Sequence, residues 1–91
     1  MMETKFKIPQ FQRLQISQIS EGEDEYKIIV SEKEVSIKGV PEKCMKNLFS
    51  RETFTGKDVI NLLPDYDWKI DIMPILSKLV NERVIFVEPG V

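Results

Sequence analysis

Histidine is absent from this 91-residue chain, and cysteine occurs once, as Cys44. A single cysteine cannot close an internal disulfide, so we expect a reducing compartment. The residue types that most often bind zinc or form a Cys–His nucleophile pair are therefore missing or isolated. The composition predicts no metal, no catalytic residue and no cofactor, and so a protein that is not an enzyme by itself.

Long hydrophobic runs are also missing. No stretch approaches the roughly 20 apolar residues that a membrane-spanning helix needs. The first twelve residues, MMETKFKIPQFQ, lack the apolar centre of a secretory signal. We therefore expect a cytoplasmic protein that does not interact with a membrane.

Neither sign of charge is in excess, because 13 basic and 15 acidic residues give a net charge of −2. A nucleic-acid-binding surface needs a basic surplus on one face. The four glycines are isolated from one another, so the chain has no glycine-rich phosphate loop. These features predict that neither nucleic acid nor a nucleotide is the ligand.

What the chain does contain is a change of hydrophobic period near Pro41. Before it, alternating and β-branched residues predict strands over 11–17, 26–30 and 35–39. The second and third of these are joined by a short polar reversal, which is typical of a hairpin.

After Pro41 the apolar residues recur at helical spacing. The predicted helices cover residues 41–50, 55–63 and about 72–82, with a short extended segment at 84–87. Thr55 is expected to cap the second helix and Asp71 the third. Pro74 then falls in a first helical turn, where its missing N–H costs nothing.

Three strands followed by three helices predict an α+β chain. The expected architecture is a winged helix-turn-helix with one three-stranded antiparallel sheet ahead of the helices. Residues 1–10 are expected to form a flexible N-terminal arm, and residues 11–91 a single domain.

The third predicted strand is a candidate binding element. Val35 and Ile37 alternate with Ser36 and Lys38, and in this topology the strand can lie at the edge of the sheet. An exposed edge either carries charged residues that prevent pairing or accepts an extended peptide as an added strand. Both interpretations are open from the residues alone.

The third predicted helix has a wide apolar face, which core packing explains for the most part. Its polar positions are Ser77, Lys78, Asn81 and Glu82. A DNA-reading helix needs Arg, Lys, Asn or Gln directed at the bases. This set is a weak match for that role, and the helix better suits one wall of an apolar groove.

Several segments together resemble the leader-peptide recognition elements of ribosomally synthesised, post-translationally modified peptide pathways. They are PQF at 9–11, YKIIV at 26–30, VSIKG at 35–39, LF at 48–49, FTGKDVINLL at 54–63 and ILSKLVNERVIF at 75–86. The chain is similar to the pyrroloquinoline quinone peptide chaperones, and more so to the recognition domains of azoline-forming cyclodehydratase partner proteins. It departs from the family at 50–53, where SRET stands in place of a Leu-Asp-Gly motif.

The resemblance implies that a precursor's leader peptide pairs antiparallel with the third strand, against the third helix. Carried onto this chain, the peptide-binding residues are Val35, Ser36, Ile37, Lys38, Ile72, Ile75, Leu76, Lys78 and Leu79. The implied partners are the precursor peptide and a peptide-modifying enzyme such as a cyclodehydratase, in antibiotic biosynthesis. The alternatives are a winged-helix DNA-binding transcriptional regulator and an inert scaffold domain of a larger synthetase.

Overall fold

A computed structural model describes residues 3–9, 15–18, 24–30 and 32–89. The strands are β1 (Lys5–Lys7), β2 (Gln15–Gln18), β3 (Glu25–Val30), β4 (Lys33–Lys38), β5 (Thr53–Thr55) and β6 (Phe86–Val87). The helices are α1 (Glu42–Leu48), α2 (Gly56–Leu62) and α3 (Met73–Asn81), with a π-helical turn at Trp68–Ile72 immediately before α3.

The strands form two antiparallel three-stranded sheets, with the orders β2-β3-β4 and β5-β1-β6. The α+β class is confirmed. The expected layout of one sheet followed by three helices is wrong, because β5 lies between α1 and α2 and a second sheet is present. Short strands with few residues each give little periodicity, which is why the sequence pattern did not reveal them.

The predicted β3–β4 hairpin is confirmed. Val30 pairs with Lys33, so the chain reverses within two residues, and Glu32 adopts a left-handed φ of 65° there. Side chains alternate along both strands, and the inward set is buried: Tyr26, Ile28, Val30, Val35 and Ile37. The predicted first strand is present in part as β2, while residues 11–14 lie outside the described residues.

Part of the expected N-terminal arm is a strand. Phe6 of β1 is 6% exposed, and its ring stacks on Phe54 of β5 with centroids 5.4 Å apart. β1 is the middle strand of its sheet, between β5 and β6. Burial of Phe6 and Ile8 supplies the apolar contact that orders this segment.

The second helix begins where the sequence predicts. Thr55 Oγ1 accepts from the Asp58 N–H at 3.2 Å, and Asp58 Oδ2 accepts from the Thr55 N–H at 2.9 Å. This capping box satisfies two backbone donors that would otherwise have no partner.

The start of the third helix differs from the expected cap at Asp71. The Asp67 carboxylate accepts from the Ile70 N–H, and the Asp71 carboxylate accepts from the Asp67 N–H, both at 2.8 Å. The Ile72 N–H then donates to the Asp67 carbonyl in a wide, π-type turn. Because Pro74 has no N–H and its ring crowds the preceding turn, an ordinary α-helix from Asp67 is disfavoured. The wide turn changes the backbone hydrogen-bond pattern just ahead of Pro74. The helical segment therefore begins at Trp68, four residues before the predicted start at residue 72.

One hydrophobic core joins the inward faces of the hairpin and helices, and it includes Val84 and Ile85 after α3. Within the described residues, none of the helices has both the length and the apolar character to cross a membrane.

Candidate functional site: the β4 edge beside α3

The strand that the sequence singles out is an edge strand. In the order β2-β3-β4, β4 pairs with β3 on one side, and its other side pairs with no strand in the described part of the chain. The sequence expectation of an exposed edge here agrees with this topology.

The register determines which amides of β4 face outward. Val35 lies opposite Ile28 and Ile37 lies opposite Tyr26. Two residues further along each strand, the Gly39 N–H donates to the Asp24 carbonyl at 2.7 Å. Every second residue of an antiparallel ladder exchanges hydrogen bonds with its partner. Val35 and Ile37 therefore belong to the bonded series, and their amides face β3.

The alternate residues, Glu34, Ser36 and Lys38, direct their N–H and C=O groups away from β3. Their side chains are exposed, whereas Val35 and Ile37 are 2% and 3% exposed. Of the four predicted strand residues, Ser36 and Lys38 thus offer both backbone and side chain at the open edge. Val35 and Ile37 contribute to the core beneath it.

Two lysine side chains connect this edge to α3 and to the residue that follows the helix. Lys78 Nζ donates to the Ser36 carbonyl at 2.5 Å, as expected for a carbonyl that points away from β3. Lys33 Nζ donates to the Glu82 carbonyl at 2.6 Å and lies 3.5 Å from the Glu82 carboxylate. Lys33, at the start of β4, contacts Glu82 just after α3, whereas Ser36, further along β4, contacts Lys78 within α3. The strand and the helix therefore run in opposite directions.

The predicted apolar residues of α3 face mainly into the core. Ile72, Leu76 and Leu79 are 1%, 4% and 2% exposed. Together with Ile75 they line a small void of about 20 Å³ against residues of α1 and α2. Ile75 is half-buried and lies one turn before Lys78, on the side of the helix that reaches β4. Of the four, it is the one placed to contact a ligand at the edge.

The charges around the edge are mixed. Lys38 lies 4.0 Å from Glu25, and Glu34 lies 3.6 Å from Lys27. Lys38 is 77% exposed, so its ion pair is weak and its ammonium is open to another partner. The edge therefore combines outward backbone groups with two lysines, Lys38 and Lys78.

Sequence reasoning missed the Lys33–Glu82 contact, whose partners are 49 residues apart. No local pattern predicts such a pair. The nearest sequence signal is the position of Lys33 in the polar reversal between the second and third predicted strands, which identifies no partner for it.

The remaining chemistry of the described residues is limited. They contain no group of three or more His, Cys, Asp or Glu side chains placed to hold a metal ion. Burial raises the pKa of the Cys44 thiol to about 11, so the thiolate is scarce at neutral pH. Cys44 is a core residue, 2% exposed on α1.

Comparison of the chain with protein-family models, with curated proteins and with solved structures gives no match in any of the three.

Proposed function

We propose that this chain is a peptide-binding module of winged helix-turn-helix type. An extended peptide adds to the open edge of β4 as a fourth strand, beside α3. The peptide is the leader of a ribosomally made precursor, and the module presents that precursor to a modifying enzyme. The residue patterns at 26–39 and 54–86 that resemble leader-recognition elements support this assignment.

The observation that carries the proposal is the Ser36 carbonyl. It points away from β3 and accepts a hydrogen bond from Lys78, a donor that lies outside the sheet. An added strand needs acceptors with this orientation, because its affinity comes from backbone hydrogen bonds. β4 provides such an acceptor in the Ser36 carbonyl, which already accepts a hydrogen bond from outside the sheet.

The ladder predicts how a peptide would pair. In an antiparallel arrangement, the peptide residue opposite Ser36 exchanges two hydrogen bonds with it. Glu34 and Lys38 offer the next outward groups, each about 6.8 Å from Ser36 along the strand. Five peptide residues therefore suffice to use all three positions.

A bound peptide has to replace the Lys78 ammonium at the Ser36 carbonyl. The displaced ammonium stays near the peptide, as does that of Lys38. Both favour a peptide with acidic side chains, although exposed ion pairs contribute only about 0–1 kcal/mol each. Backbone pairing and the contact with Ile75 would supply the rest.

Hydrogen exchange tests the mode directly. Synthetic peptides from short reading frames beside the gene are added to ¹⁵N-labelled protein, and amide exchange is followed by NMR. We expect the amides of Ser36 and Lys38 to slow, because they gain partners. The amides of Val35 and Ile37 serve as internal controls, since they already face β3. Binding without slower exchange at Ser36 and Lys38 would rule out strand addition at β4.

A further inference from the structure

A separate cavity of about 430 Å³ lies between α1 and the strands β2 and β3. We call it the α1 cavity. None of its lining residues belongs to β4 or α3, so it is distinct from the proposed peptide edge. Its volume falls within the roughly 300–1,000 Å³ that is usual for small-molecule sites.

The wall of the α1 cavity is largely apolar. Ile16 contributes from β2, and Met45 and Phe49 contribute from α1 and the residue after it. Methionine has an unbranched, adaptable side chain that adjusts to ligands of different shape. This wall therefore suits an apolar body more than a highly charged one.

Tyr26 also forms part of the cavity wall, and its hydroxyl has no hydrogen-bond partner among the residues that the structure describes. The residue is 4% exposed. Buried hydroxyl groups almost always have a partner, because leaving one unpaired carries a desolvation cost. The half-buried Tyr66 differs, since its hydroxyl donates to the Gly39 carbonyl at 2.8 Å. The Tyr26 hydroxyl is therefore a buried donor at the cavity wall that has no acceptor within the described residues.

Two charged residues at the cavity compensate each other. Lys46 Nζ lies 2.7 Å from the Glu42 carboxylate. Burial, and next the Glu42 carboxylate, raise the pKa of Tyr26 above its ordinary value. The phenol is therefore protonated at neutral pH and acts as a donor. Glu42 and Lys46 together add no net charge at the cavity, so the pair selects neither an anion nor a cation.

We propose that the α1 cavity binds a neutral small molecule that joins an apolar body to a carbonyl group. The carbonyl oxygen accepts a hydrogen bond from Tyr26, and the apolar body lies against Ile16, Met45 and Phe49. The Tyr26 hydroxyl is shielded from solvent. The ligand therefore reaches it by moving a side chain of the wall, and the adaptable Met45 is suited to that movement.

The test uses two probes of the same shape, acetophenone and α-methylstyrene. In α-methylstyrene a C=CH₂ group replaces the C=O group of acetophenone. Each is titrated into the intact protein while the methyl resonance of Met45 is followed by NMR. We expect both probes to shift this resonance. Acetophenone should bind about five-fold more tightly, as a single neutral hydrogen bond allows. Equal affinities, or no shift of the Met45 methyl with either probe, would overturn the proposal.

The matched variants are Tyr26→Phe and Tyr66→Phe, each of which removes one hydroxyl and keeps the ring. We expect Tyr26→Phe to abolish the preference for acetophenone and Tyr66→Phe to retain it. A preference that survives in Tyr26→Phe would also overturn the proposal. If Tyr26→Phe does not fold, the comparison of the two probes on the wild-type protein decides alone.

Discussion

Lys78 has a dual position in the proposed peptide site. Its ammonium donates a hydrogen bond to the Ser36 carbonyl at 2.5 Å, so it competes with a peptide N–H for that acceptor. Once displaced, the same ammonium is close enough to favour an acidic peptide. The sign of its contribution to affinity should therefore depend on the charge of the peptide.

We predict opposite trends for Lys78→Met with two versions of one peptide. A version whose acidic residues are replaced by their amides should bind the variant about two- to five-fold more tightly, because the acceptor is vacated. The acidic parent should gain less or lose affinity, and its binding should depend less on salt. Calorimetry at two ionic strengths measures both.

Lys43→Met is the matched control for this prediction. Lys43 is exposed on α1, and its replacement makes the same change in net charge away from β4. Weaker binding of the neutral peptide to Lys78→Met, but not to Lys43→Met, would mean that Lys78 assists the peptide rather than competing with it.

The alternation of amides along β4 allows binding and folding to be tested separately. Proline is tolerated in an edge strand where the lost N–H faces outward. Ser36→Pro should therefore leave the protein folded and abolish peptide binding. Ile37→Pro removes a donor to β3, so it should destabilise the hairpin. Thermal melts and calorimetry of both variants distinguish the two effects.

A Ser36→Pro variant that folds and still binds peptide with wild-type affinity would show that β4 is not the docking strand. An Ile37→Pro variant that melts like the wild type would contradict the register instead.

The sequence predicted well those elements whose formation depends on residues close together in the chain. Thr55 and Asp58 are three residues apart and cap each other, so the start of α2 is visible in the sequence. The buried alternation that ends in Val35 and Ile37 likewise identified β4. β1 was missed because its ordering depends on Phe54, a contact 48 residues away along the chain. The cap of α3 was misplaced because a π turn accommodates Pro74 without an interrupted helix.

In the candidate site, too, features set by neighbouring residues were predictable and features set by tertiary packing were not. The exposure of Ser36 and Lys38 could be anticipated from alternation, and the edge position of β4 from the predicted order of the strands. The burial of Ile72, Leu76 and Leu79 against α1 and α2 could not be distinguished from a groove by spacing alone. An apolar stripe fits either environment, and only the packing of three helices decides between them.

The net charge of the protein argues against the DNA-binding alternative. The chain carries a net charge of −2. Within α3 the one basic residue is Lys78, and its ammonium contacts Ser36 of the same chain. Affinity for duplex DNA comes mainly from basic groups that release counterions from phosphates. A helix with a single basic residue supplies little of this.

We therefore predict no salt-dependent binding of duplex DNA in the micromolar range at physiological ionic strength. Fluorescence anisotropy with a labelled duplex, repeated from about 50 to 200 mM salt, measures both affinity and slope. Lys78→Met is again informative, because a DNA-reading α3 would lose affinity and have a shallower slope without its lysine. Micromolar binding that weakens with salt, and weakens further in Lys78→Met, would favour a regulator over a peptide-binding module. A flat response in both proteins is what the acidic charge balance and the engaged Lys78 predict.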